Sequence, residues 1–122
     1  MVGRALRAAL PVPELVSVME HLEYEFDGAG PRPAGATALA GVVGSGNLEV
    51  LIEAIDLGGR CAAVVDTSVR GYGATWRQVL ADFFSRHGMG DVRISINDGG
   101  ATPAVVSLRL DQAAAEIKEE GP

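Results

Sequence analysis

Two apolar runs, residues 37–43 and 48–55, are separated only by Gly44-Ser45-Gly46-Asn47, and this spacing constrains the fold more than any other stretch. So short a polar link can reverse an extended chain but cannot carry it across a sheet, so the runs should pair as an antiparallel hairpin. The turn presents a single hydroxyl, Ser45, between glycines whose missing Cβ atoms let a large group approach the backbone. On turn chemistry alone this is a hairpin and nothing more; display of a nucleophile is the sharper alternative.

The other elements follow from periodicity. Leu22, Tyr24 and Phe26 alternate with Glu23, Glu25 and Asp27, the pattern of a strand with one buried face. Residues 27–36, rich in glycine and proline, read as a surface connection. Residues 60–68, with Val64 and Val65, read as an inner strand. Trp76, Val79, Leu80, Phe83 and Phe84 share one helical face, Thr75 and Gln78 have capping-box spacing, and Gly88 is a natural C-terminal stop. Val92, Ile94 and Ile96 give another half-buried strand, and Asp98-Gly99-Gly100 signals a turn into residues 105–110, expected to close a second hairpin. Residues 111–120 have helix composition, with Asp111 at the helix N-terminus. The fold expected is α+β: a mostly antiparallel sheet of about five to six strands with two helices in a single domain.

A chain of 122 residues suits one core. That domain is assigned to residues 19–122, with residues 1–18 as an N-terminal extension, either a tail or a short helix after Pro13. Arg4 and Arg7 precede Leu10, but without an apolar core this start is not read as a targeting leader. A net charge of -6 and no basic stripe argue against nucleic acid. Acidic groups gather at Glu20, Glu23, Glu25 and Asp27 and again at Asp111, Glu116, Glu119 and Glu120, as solvated faces or, alternatively, as docking surfaces for a basic partner. Cys61 is the only cysteine, which rules out an intrachain disulfide, fits a reducing cytoplasm and suggests a small buried hydrophobe. No apolar run reaches the roughly 20 residues of a membrane span.

Candidates for chemistry are few. His87, at the end of the aromatic helix, reads as structural, and His21 as solvated beside a strand. Two histidines and one cysteine do not suffice for a structural zinc site, and no metal site is expected. Asp66-Thr67-Ser68 and Asn97-Asp98 end strands before glycine and read as turn formers. Nucleotide-binding glycine loops are missing, as is the Asp-Ser-Leu signature of four-helix acyl carriers. No catalytic residue is assigned.

The wording of one region goes further. Val42-Val43-Gly44-Ser45-Gly46-Asn47-Leu48-Glu49-Val50-Leu51, then Asn97-Asp98-Gly99-Gly100-Ala101-Thr102-Pro103 and Val105-Val106-Ser107-Leu108-Arg109-Leu110, resembles the acyl carrier (delta) subunit of malonate decarboxylase. The likeness runs from about Met19 to Glu116, and a more distant one is to the acyl carrier (gamma) chain of citrate lyase. The resemblance implies that Ser45 carries 2'-(5''-phosphoribosyl)-3'-dephospho-CoA through a phosphodiester, supported by Gly44, Gly46 and Asn47. Asn47 stands where the family pattern carries an acidic residue, which removes a charge beside the attachment point. It further implies a non-catalytic, cytoplasmic chain that bears acetyl and malonyl thioesters between an acyl/CoA transferase subunit and decarboxylase subunits, after loading by a prosthetic-group transferase. The alternatives are a citrate-lyase-type carrier serving another acid and an unmodified small adaptor.

Overall fold

The described residues hold five strands and two helices, in the order β1 (Glu20–Phe26), β2 (Thr37–Val42), β3 (Ser45–Ala54), β4 (Cys61–Thr67), α1 (Gly73–His87), β5 (Val92–Asp98) and α2 (Pro103–Glu119). The computed structural model describes residues 19–42 and 45–119, with the backbone alone for residues 42 and 45–47. The N-terminal extension expected over residues 1–18 lies outside the described residues. The strands form one sheet in the order β1-β4-β5-β3-β2. Every neighbouring pair is antiparallel except β4 and β5, which run parallel in register from Cys61↔Val92 to Thr67↔Asp98.

Alternation decides which face is covered. Tyr24, Ala38, Ala40, Leu48, Val50, Ile52, Cys61, Ala63, Val65, Val92, Ile94 and Ile96 are buried beneath the helices, each large aliphatic side chain contributing about 1.5–3 kcal/mol by leaving water. From α1, Trp76, Leu80, Phe83 and Phe84 enter this core, and the Phe84 ring centroid lies 5.1 Å from that of Phe26. From α2, Val106, Leu110, Ala113, Ala114 and Ile117 do the same, on the 3.6-residue period. Among the described residues, no helix lies on the opposite face. Its middle row, Glu23–Val64–Ser95–Leu51–Leu39 by strand register, lies between a row with the Arg93–Glu53 ion pair and a row with His21, Asp66, Asn97 and Glu49.

Three sequence expectations are corrected. Residues 105–110 are the first turns of α2 and not a strand, so the second hairpin does not form. Thr102 caps this helix, its Oγ1 accepting the Val105 N–H at 3.3 Å, and Pro103 takes the first helical position, where its missing N–H costs nothing. Asp111 consequently lies inside a helix, where it accepts hydrogen bonds from Arg86 (3.0 Å) and His87 (2.8 Å). Finally, α1 starts at Gly73 with Tyr72 as its N-cap and no side-chain cap bond, so Thr75 and Gln78 form no capping box. Gly88 does end α1, in a left-handed conformation with its N–H on the Phe84 carbonyl at 3.0 Å.

The β2–β3 pairing depends on Gly41. Its φ of +91° is a left-handed value, and a Cβ there would overlap the Leu48 carbonyl oxygen. Gly41→Ala should therefore cost about 1–3 kcal/mol, seen as a lower urea midpoint at unchanged m-value; an unshifted midpoint would refute the strain.

At the other end of the sheet, the Asp91 carboxylate accepts the N–H groups of Leu57 (2.9 Å) and Gly59 (2.7 Å) and so closes the β3–β4 connection. These two bonds, Leu57's first, hold its pKa below the usual 3.8. The stabilisation is therefore present above 3.8 and is lost as pH falls through the depressed folded value. Asp91→Asn should melt lower than the parent at pH 7, and the gap should narrow as pH falls below 3.8. A gap that is constant with pH would show that the carboxylate charge is not involved.

Candidate functional site

Ser45 opens β3, paired with Val42 across residues 43 and 44. The β3–β5 ladder runs only from Leu48↔Asp98 to Ala54↔Val92, so residues 45–47 extend past β5 as part of a two-stranded ribbon with β2. Between the pairs Ala40↔Val50 and Val42↔Ser45, Gly41 alone faces residues 46–49. That bulge corrects the expected position of the turn. Backbone pairing needs no apolar side chain, so the ladder resumes beyond the bulge at Ser45, and β3 begins there rather than at Leu48. Gly44 lies outside the described residues.

A cavity of about 450 Å³ opens at the carboxyl ends of β4 and β5, between the N-terminal turns of the two helices. Its walls include Val69, Tyr72, Trp76, Val79 and Val106. Thr67 and Asp98 form a polar floor and are themselves buried. The Thr67 hydroxyl donates to Asp98 Oδ2 (2.8 Å), while Asp98 Oδ1 accepts the Ala101 N–H (2.8 Å). Asp98 thus forms the side-chain bonds expected of a turn former, but from inside the fold. Because Leu48 pairs with Asp98, Ser45 lies three positions before it at this same end of the sheet, at most about 11 Å away along the chain. The sequence gives no sign of the cavity, whose walls come from segments about 30 residues apart that only the parallel pairing brings together.

His21, Cys61, His87 and Asp111 are each held in structural contacts. His21 Nδ1 lies 2.6 Å from Asp66 and Nε2 2.8 Å from Glu23, and these hydrogen bonds, Asp66's first, raise its pKa above 6.5. When both ring nitrogens donate to carboxylates, no lone pair is left for a general base. Cys61 is buried, as its composition suggested; burial pushes its thiol pKa up, and its Sγ donates to the Met89 carbonyl at 3.3 Å. Burial pushes Asp111 up, but the bonds from His87 and Arg86 outweigh it and hold the carboxyl low. His87 therefore joins α1 to α2, the structural role expected of it. Among the described residues no cluster of three or more His, Cys, Asp or Glu could hold a metal ion, and no helix is long and apolar enough to cross a membrane.

The acidic stretch on β1 is largely taken up by internal partners. Glu25 and Asp27 pair with Arg60, Glu23 with His21, and Glu20 accepts the Gly71 N–H at 3.0 Å. Proton NMR of His21 should give a titration midpoint above 6.5 that falls in Asp66→Asn. A midpoint unmoved by that substitution would remove Asp66 as the cause.

The described residues form an α+β domain, one sheet with two helices on one face and a serine-bearing ribbon at one end, whose histidines and cysteine are held in structural contacts. Known proteins give its class. The family model described as Malonate decarboxylase delta subunit (MdcD) matches residues 35–117. The malonate decarboxylase acyl carrier protein of Burkholderia cepacia is 60% identical over 99 residues, covering 81% of this chain and 91% of that one. That of Xanthomonas campestris pv. campestris is 59% identical over 96 residues, covering 78% and 91%. A chain in the crystal structure of a Pseudomonas malonate decarboxylase hetero-tetramer in complex with malonate superposes with a TM-score of 0.70 at 41% identity, over 80% of this chain and 98% of that one. The chain belongs to the malonate decarboxylase delta-subunit family: it is an acyl carrier subunit, not the catalyst, of a multi-subunit complex.

Proposed function

We propose that Ser45 is the attachment point of 2'-(5''-phosphoribosyl)-3'-dephospho-CoA, and that the loaded chain works in the cytoplasm. The observation that carries this is the overhang: the pairing of β3 with β5 ends at Leu48↔Asp98, so the segment holding Ser45 extends past β5 with β2 as its one partner strand, where a prosthetic-group transferase can reach it. Gly44 and Gly46 flank the serine without side chains, and Asn47 follows them. Behind the ribbon, β3 is paired with β5 from Leu48 onward and with β2 as well from Val50 to Glu53, which anchors the serine to the sheet. Bound through a phosphodiester, the group supplies a terminal thiol on which acetyl and malonyl units are held as thioesters.

The protein's own part is positional. It holds one end of the arm and presents the other to an acyl/CoA transferase subunit and to decarboxylase subunits. Tethering raises the effective concentration of the acyl group at each of them to the mM range or above. Charge stabilisation during malonate decarboxylation to acetate and CO2 is then left to donors on those partners.

Intact-mass spectrometry after co-expression with the modifying enzymes should show an added phosphoribosyl-dephospho-CoA mass on the parent chain and none on Ser45→Ala. No added mass on the parent sinks the proposal. Gly44→Val should load less while melting at the parent temperature; equal loading would show that access past the glycine is unimportant. The acyl group found on the arm separates malonate from a citrate-lyase-type substrate.

A further inference from the structure

We propose that the cavity at the carboxyl ends of β4 and β5 is a docking site for the adenine base of the group carried on Ser45. The inference rests on the Ser45 assignment above. Position comes first: Ser45 lies three positions along β3 from Leu48, the partner of Asp98 in the cavity floor. A phosphodiester and two ribose rings separate the serine from the base, a length comparable with the about 11 Å that those three residues can span at most.

Chemistry then selects which part of the arm enters. Apolar walls with two aromatic rings, Tyr72 and Trp76, suit the faces of a flat heterocycle. The floor is built of acceptors. Asp98 keeps lone pairs free after its bonds with Thr67 and Ala101, and it can receive the exocyclic amine of adenine. The same carboxylate repels the diphosphate of the arm and the free carboxylate of a malonyl group, and no lining residue is a cation that could offset this. The thiol end must leave to reach other subunits, whereas the base never has to. About 450 Å³ is within the range of small-ligand sites and ample for a bicyclic base.

The tether makes weak binding sufficient. At an effective concentration in the mM range, a millimolar site is substantially filled. A docked base moves the pivot of the arm from the ribbon to the body of the domain. It also leaves the pantetheine portion free to swing.

Trp76 is the chain's only tryptophan and lines the cavity, so its emission reports occupancy directly. Excitation is at the red edge of the indole band, where adenine does not absorb. The loaded chain, confirmed by mass, should be quenched relative to Ser45→Ala, and Ala101→Leu in the loaded chain should restore the emission. The unloaded chain titrated with dephospho-CoA should quench saturably with a half-point on the order of 1 mM, raised about tenfold by Ala101→Leu. Val79→Phe replaces that variant if circular dichroism shows it misfolded.

A mass-confirmed loaded chain with unquenched Trp76 overturns the cavity assignment and leaves the Ser45 assignment standing. If no mass is gained, the Ser45 assignment fails, and absence of saturable quenching by dephospho-CoA then refutes the cavity independently. Quenching by phosphopantetheine as strong as that by adenosine would assign the cavity to the other end of the arm and end the adenine proposal.

Discussion

Everything at the serine end of the molecule depends on the parallel pairing of β4 with β5. Parallel neighbours cannot be joined by a tight turn, so the chain must leave the sheet, cross one face as α1 and return. Both strands then finish at the same edge, where the helix that follows each one begins. Because β3 is antiparallel to β5, its first residues arrive at that edge too. The ribbon, the cavity and the two helix starts are thus gathered there by a single pairing choice, and the far edge is left to structural closure by Asp91 and its glycine-rich connections.

The parts of the fold that are plain in the sequence are those where one side chain in two, or one face in 3.6 residues, has to be apolar. β1, β4, β5 and α1 are all of this kind. Residues 105–110 are not, because a six-residue run with adjacent valines satisfies either period and the β-branched pair favours a strand. Thr102-Pro103 is the signal that settles it: a capping hydroxyl followed by a residue suited to the first helical turn. Ser45 itself was marked by its glycine neighbours. Its place inside β3 was not, because a bulge is made of backbone conformation at Gly41 and leaves the apolar pattern almost untouched. Nor could the cavity be foreseen, since it exists only where two distant segments meet.

The acidic character of the chain also has a different meaning once partners are assigned. On β1 the carboxylates hold Arg60 and His21 or bind the chain at Gly71, which fixes the edge of the sheet to the loops that follow. The face of the sheet opposite the two helices combines a half-apolar middle row with polar rows on both sides, and Leu39 on it is 55% exposed. Such a composition is tolerated by water and is also compatible with burial against another subunit.

A force applied at Ser45 runs down the length of β3, whose ladders with β2 and β5 lie to either side. Pulled end-on, those hydrogen bonds share the load in shear, whereas a strand tugged sideways would peel away one bond at a time. The direction in which β3 leaves the sheet therefore makes it suited to being pulled.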